Sequence, residues 1–395
     1  MQPSSTHPRA LIYVQHLLGV GHLQRAIQLA AALQDLEFQV EIVSGGRPVA
    51  IRLPDKVGFH QLPPLYSADG SFTRLLDADG RAIDDGWRAR RKQILLDIFN
   101  SLAPRVLITE TFPFGRRMLR FELLPLLQAS RSSCELVISS IRDILQPRAR
   151  AERNRETCEL LDAYYDHVLV HGDERIARLE DSFPLAGSIG QKLYYSGYIC
   201  ARNAQAPPAS EGLDEVIVSA GGSATGLHLL TTALAAKPLS DLRALHWRLL
   251  VSPAIAAADF EALQQRAGSG VTIERNRPDF SALVKRARLT ISQAGYNTIT
   301  DILNSDTPAV VIPYAEANEV EQTLRAKALE KCGRLVALCE TELSASALAQ
   351  AISRAQQQNT TPGVDLNGAS NSATMIAHWL NCTAHQSVSG PDLTN

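Results

Sequence analysis

Two rounds of the same alternation run along the chain. Short apolar runs rich in β-forming residues are followed by longer stretches whose apolar residues recur at helical spacing. Strands alternating with helices mean βαβ units and parallel sheets, so the expected fold class is α/β. In the first round the expected strands are RALIYVQHLL, FQVEIVSGG, RVLITE at 105–110, CELVISS at 134–140 and HVLVHG at 167–172. Helical stretches such as WRARRKQILLDIFNSL and RRMLRFELLPLLQAS lie between them. Ser67 to Gly86 is rich in Asp and Gly and reads as a surface loop. The second round supplies EVIVSAGGS, HWRLLVSP, GVTIER, RLTISQAG, TPAVVIP and RLVAL as strands, with LHLLTTALAA as a helix.

The rounds are separated by YYSGYICARNAQAPPASEG at 194–212, where Pro, Ala and Gly accumulate. A first domain over 9–200, a second over 213–382 and a disordered tail over 383–395 are therefore expected. A length of 395 residues exceeds one ordinary domain, and 45% apolar residues suffice for two cores. The net charge of −2, from 39 basic and 41 acidic residues, argues against a nucleic-acid partner. Six cysteines without a C-x-x-C pair, and no secretory leader at the N-terminus, point to the cytoplasm. No apolar run reaches the length of a membrane span, though peripheral membrane contact stays open.

Ligands of open α/β sheets bind beyond the carboxyl ends of strands, so chemistry is sought in the strand-to-helix loops. The first loop is Gly19-Val20-Gly21-His22, with Arg25 three residues further on. An imidazole at the cleft takes a proton from a hydroxyl near neutral pH, while a helix-capping histidine is the plainer alternative. Arg25 suits a phosphate or a buried acid, or else a surface ion pair. Glu110 ends the strand RVLITE and is the second candidate base. Arg116 and Arg117 follow it. They read first as solvated arginines, with an acidic acceptor as the alternative.

VSAGGSATG places Gly221, Gly222 and Ser223 between a strand and a helix, where amide hydrogens and a helix dipole favour a phosphate. There is no Gly-Lys-Ser/Thr, so it is not a P-loop. In SQAGYNTITDIL at 292–303, Gly295 permits a tight turn and Asp301 falls about two turns into the next helix. There Asp301 either meets ribose hydroxyls or is a solvated helix residue. In PYAEANEVEQTLRAKAL at 313–329, Glu321 and Gln322 suit sugar hydroxyls.

Taken together, GGSATG, SQAGYNTITDIL and VVIPYAEANEVEQTLRAKALEKCG resemble the C-terminal domain of family 28 glycosyltransferases. The nearest member type is the N-acetylglucosaminyltransferase of peptidoglycan lipid II synthesis. The resemblance covers about 215–340, and more loosely 10–45, where that family has a similar Gly-x-Gly-Gly-His turn. It implies a GT-B fold: two Rossmann-like domains, an interdomain cleft, donor in the second domain and acceptor in the first. It further implies Gly222 and Ser223 on the diphosphate, Asp301 on the ribose, where the family has Glu, and Gln322 with Glu321 on the sugar. GVGHLQRAIQLAAAL is also similar to the turn of the nucleotide-sugar hydrolase of pseudaminic acid biosynthesis. The resulting expectation is a glycosyltransferase moving a hexose or N-acetylhexosamine from a nucleotide diphosphate sugar, UDP-linked, to an unidentified acceptor. No metal or other cofactor is assigned, and hydrolysis is the alternative. His22 and Glu110 are the catalytic candidates, and Gly21, Arg25, Gly221, Gly222, Ser223, Gly295, Asp301, Glu321 and Gln322 the substrate ligands.

Overall fold

The structure, a computed structural model, describes residues 7–17, 19–67, 74–146, 151–201, 206–221, 224–314, 320–358 and 363–388. Its first half holds strands β1 (Arg9–Val14), β2 (Gln39–Ser44), β3 (Gly58–Gln61), β4 (Tyr66–Ser67), β5 (Leu75–Leu76), β6 (Val106–Glu110), β7 (Leu136–Arg142), β8 (His167–His171) and β9 (Leu193–Tyr195). Seven of them form one parallel sheet in the order β3-β2-β1-β6-β7-β8-β9. Helices α1 (Gly21–Gln34), α2 (Asp85–Leu102), α3 (Arg120–Ser130) and α4 (Ala151–Tyr164) lie between the strands. The stretch expected as a loop from Ser67 to Gly86 carries the small antiparallel pair β4–β5 and the start of α2. Asp84 caps α2 by accepting from Trp87 N at 2.6 Å.

The second half repeats the plan with β10 (Val216–Ser219), β11 (Trp247–Val251), β12 (Val271–Arg275), β13 (Leu289–Ser292), β14 (Ala309–Val311) and β15 (Val336–Ala337). These six pair in parallel in the order β12-β11-β10-β13-β14-β15. Helices α5 (Leu227–Ala236), α6 (Ala257–Arg266), α7 (Phe280–Arg286), α8 (Tyr296–Leu303), α9 (Glu321–Lys331) and α10 (Ala345–Gln357) accompany them. Continuous apolar strands such as Leu107–Ile108 and Val216–Val218 are fully buried, as strands covered on both faces must be.

Strand order reverses between β1 and β6 in one sheet and between β10 and β13 in the other. Loops leaving those four strands diverge and open a crevice, which is where such sheets bind ligands. The loops singled out after β1, β10 and β13, and Glu110 at the end of β6, all lie at these two points.

The final helix, α11 (Gly368–Val388), leaves the second half and returns to the first. Its Ala369, Ala373, Ile376 and Leu380 bury among Ala10, Ile12, Leu23 and Ile27. A second domain running on to 382 thus needs correction, because this apolar stripe fits the α1 side of the first sheet. Helix continues to Val388 in the stretch expected as a disordered tail, and residues 389–395 lie outside the described residues. The return stretch crosses the outgoing one tightly, with Tyr198 N on Asp365 O at 2.7 Å and Gly368 N on Tyr198 O at 3.0 Å. A Cβ on Gly368 would stand 2.2 Å from Gly197 O, so only glycine lets the crossings touch.

Candidate functional site

At the reversal of the first sheet, β1 delivers His22 on the first turn of α1 and β6 delivers Glu110 at its carboxyl end. His22 Nδ1 lies 2.8 Å from Glu110 Oε2. Arg25, one turn along α1, donates to Glu110 Oε1, and the Thr111 hydroxyl donates to Oε2. Glu110 is 2% exposed and His22 19%. Burial raises the Glu110 pKa, but Arg25 and then His22 outweigh it, so the carboxyl stays well below its usual range. Burial lowers His22 to about 4 against the pull of Glu110, with the Arg116 cation adding to the fall. The imidazole is therefore neutral at pH 7. With Nδ1–H donated to a carboxylate, its Nε2 carries the lone pair and has no hydrogen bond among the described residues.

Two expectations change here. Glu110 is not a second base: both its oxygens are taken inside the protein, and it orients His22. Arg25 is not a substrate ligand, because it is 4% exposed and spends its charge on the buried acid.

Arg117 is exposed and pairs with Glu156. Arg116 is half-buried, and its Nε donates to Gln15 O at 3.0 Å. Among the described residues it has no carboxylate partner. Burial, and repulsion from Arg142 and Arg25, lower its pKa to about 10 despite Glu110. It sits in a short loop with two non-glycine residues in the left-handed region, Thr111 (φ 69°) and Arg116 (φ 58°). Such strain is held where the surroundings impose it, typically at functional sites. Beneath lies a buried frame that sequence patterning passed over. Arg91 of α2 binds Glu122 at 2.7 Å and Gln15 Oε1 at 2.7 Å, and the Tyr13 hydroxyl donates to Glu122 at 2.5 Å. Charged residues read as solvent-facing in a helix, so nothing in the spacing marks Arg91 as a core cation.

Across the crevice, Gly221 follows β10 with φ +71°, and its carbonyl accepts from Asn276 Nδ2 at 2.7 Å. Gly222 and Ser223 lie outside the described residues. A Cβ on Gly226 would stand 1.8 Å from Ala220 Cβ, so the chain must be glycine where it turns back into α5. Gly295 precedes α8 with φ −63° and ψ 147°, which any residue adopts, so no tight turn demands it. Nothing lies within 4 Å of a Cβ there, which leaves that backbone open. Asp301 lies against Ser281 and Lys285 of α7, and burial raises it to about 6. Gln322 accepts from Tyr314 N at 3.1 Å through its Oε1.

Glu321 departs from its expected role as a sugar ligand. It is 3% exposed; Arg325 donates to one oxygen at 2.7 Å and Arg142 of the first domain to the other. Arg325 also grips Asp143 of β7's end through Nη2–Oδ1 at 2.6 Å and Nε–Oδ2 at 2.8 Å, and donates to Ala294 O at 3.1 Å. This buried network joins the two domains at the floor of the crevice. Gly21 meets the second domain too: a Cβ there would touch Asn297 Nδ2 at 3.1 Å. It lets α1 abut α8 rather than serving a ligand in this arrangement.

The sequence holds one Asp-x-Asp triplet, Asp77–Asp79, against the expectation that it holds none, and the triplet folds as a turn. Asp77 Oδ1 accepts from Asp79 N at 3.0 Å and Arg81 N at 2.9 Å. Among the described residues no three His, Cys, Asp or Glu side chains gather around a metal position. No helix among them is long and apolar enough to cross a membrane.

Residues 216–377 match the glycosyltransferase family 28 C-terminal domain. A UDP-N-acetylglucosamine--N-acetylmuramyl-(pentapeptide) pyrophosphoryl-undecaprenol N-acetylglucosamine transferase of Paramagnetospirillum magneticum is 30% identical over 144 residues, 35% of this chain and 38% of that protein. The match thus spans well under half of that relative. Among solved structures, MurG of Acinetobacter baumannii superposes with a TM-score of 0.56 at 16% identity, covering 94% of this chain and all of that one. The spinosyn rhamnosyltransferase SpnG, complexed with thymidine diphosphate, superposes with a TM-score of 0.59 at 14% identity, covering 97% of this chain and 100% of that one. Those likenesses, at such identities, establish architecture. The chain has the GT-B fold of two Rossmann-like domains, and its second domain belongs to the glycosyltransferase family 28 C-terminal domain family.

Proposed function

We propose that the protein is a glycosyltransferase that moves a hexose or N-acetylhexosamine from a UDP-sugar to an acceptor hydroxyl. The observation that carries this reading is the His22–Glu110 pair at the reversal of the first sheet, with α1 abutting α8 of the family 28 domain. His22 Nε2 takes the proton of the acceptor hydroxyl as that oxygen attacks the anomeric carbon. Glu110 holds the correct tautomer and stabilises the imidazolium that forms. Opposite, the backbone around Gly221–Ser223 and the start of α5 receive the leaving diphosphate as charge develops on it. Gln322 offers its amide hydrogens to the sugar. Asp301, ionised at neutral pH even with its pKa raised to about 6, takes the ribose diol. The proposal of uridine rests on the name of the Paramagnetospirillum magneticum relative.

Arg116 bears on the acceptor. A half-buried cation with no carboxylate partner among the described residues, in a strained loop beside the base, suits an anionic group on the molecule that enters the first domain. The relative's printed acceptor, a pyrophosphoryl-undecaprenol, is of that kind, and such a lipid would bring this domain to a membrane surface. Cytoplasmic location is proposed with it, from the cysteine usage.

The test is a panel of UDP- and TDP-sugars incubated with the full chain, with and without phosphorylated and neutral acceptors. Transfer to an acceptor with slow release of free sugar supports the reading. Fast, acceptor-independent release of sugar would make the protein a hydrolase instead.

A further inference from the structure

Tyr296 opens α8, directly after the loop at the reversal of the second sheet, and its ring buries with Ile299 and Ala326 of its own domain and with Tyr198. Its hydroxyl donates to His171 O at 2.9 Å and accepts from Ile199 N at 3.1 Å. Two guanidinium carbons lie over its ring, Arg325 at 5.5 Å and Arg25 at 5.0 Å. Arg325 belongs to the interdomain network. Arg25 is the cation that binds Glu110.

Arg25 is under-determined without that ring. Its Nε is buried with no hydrogen-bond partner, and its Nη2 has two neighbours in reach: Glu110 Oε1, and His22 Nδ1 at 3.0 Å. The second matters because His22 Nδ1 is also the atom that Glu110 Oε2 holds at 2.8 Å. The imidazole thus has two arrangements. With Nδ1–H donating to Glu110, Nε2 has a free lone pair and accepts a proton. With bare Nδ1 accepting from Arg25, the proton sits on Nε2 and the ring is no base. Where the guanidinium rests decides between them, and the ring over it limits where it rests. A cation–π contact of this kind favours one placement of the guanidinium, and through it one tautomer of the imidazole.

We infer that Tyr296 is a positioning residue for the proton transfer: carried by the donor domain, it keeps Arg25 on Glu110 Oε1, so that Glu110 Oε2 at 2.8 Å takes the proton of His22 Nδ1 although Arg25 Nη2 and Thr111 Oγ1 stand 3.0 and 3.3 Å from that nitrogen, and it does so only when the two domains are closed. The inference rests on the transferase reading of the His22–Glu110 pair. It links the two halves of the reaction, since the helix that follows the donor loop also arms the base. Opening the crevice withdraws the ring, frees Arg25 and lets the base lapse, which guards a bound donor against water until closure.

The test compares Tyr296→Phe, which keeps the ring, with Tyr296→Leu and Tyr296→Met, which remove it. Nitrogen chemical shifts of labelled histidine report the His22 tautomer in the full chain, with and without UDP, and UDP release from UDP-N-acetylglucosamine reports turnover. We expect Nδ1–H in the wild type and in Tyr296→Phe. In Tyr296→Leu or Tyr296→Met we expect a shift towards Nε2–H, turnover lower by 10-fold or more, and UDP affinity within 2-fold. Turnover and tautomer unchanged in whichever of the two ringless variants folds would overturn the inference, as would a turnover loss no larger than the loss of UDP affinity. A chain that binds no nucleotide defeats the transferase reading, while the tautomer comparison, which needs none, still judges Tyr296.

Discussion

Glu110 holds His22, in the first turn of α1, by its Nδ1 at 2.8 Å, and this contact leaves Nε2 as the nitrogen that serves as base in the proposed reaction. Glu110→Gln keeps the shape but removes the charge and permits the wrong tautomer. Transfer should fall by about 10²- to 10⁴-fold, with UDP affinity held within twofold. His22→Ala should cost a similar factor, and the double variant little more, because the two side chains act as a unit. Steady-state transfer rates with UDP titration check this.

The pH profile should carry the mark of a buried imidazole. The form that accepts a proton is the neutral one, and burial keeps His22 neutral down to about pH 4. The acid limb of kcat/KM should therefore lie near 4, where an ordinary histidine would place it near 6.5. A pH–rate profile in the full chain reads this directly.

The pair joining the domains should be costly to break singly. Asp143 and Arg325 are both wholly buried, so Asp143→Asn takes away the carboxylate that binds the guanidinium at two nitrogens and leaves it only Glu321 as a charge partner. A loss of roughly 3–5 kcal/mol in unfolding free energy is expected, with part of it restored in Asp143→Asn/Arg325→Met. Urea unfolding followed by tryptophan fluorescence measures both.

Asp301 should make the protein less stable as pH rises. Burial lifts its pKa to about 6 from 3.8, so the folded chain binds this proton more tightly than the unfolded one. Its contribution is neutral below about pH 4 and turns destabilising as pH passes through 6. Asp301→Asn should gain on the order of 1–3 kcal/mol over wild type at pH 8 and nothing near pH 3.5. Melting temperatures at the two pH values check the sign.

Much of the architecture was written in local patterns. Apolar runs and turn residues announced the strands that build both sheets, apart from the short β3 and β9, whose few residues carry no clear alternation. The Pro- and Gly-rich stretch at 194–212 runs from the end of β9, in the first sheet, to just short of β10, in the second. Periodicity reports which elements form, and parallel topology then brings the loops after β1, β6, β10 and β13 to the crevice, so His22, Glu110 and Gly221 were found as candidates from one dimension.

Partners were beyond its reach. That Glu110 serves His22, that Arg25 meets an acid rather than a phosphate, that Glu321 closes the domain junction and that α11 returns to the first sheet all depend on contacts between residues far apart in the chain. A charged side chain looks the same in sequence whether it faces water or a buried counter-ion. The desolvation and pairing that set its role exist only once the chain has closed around it.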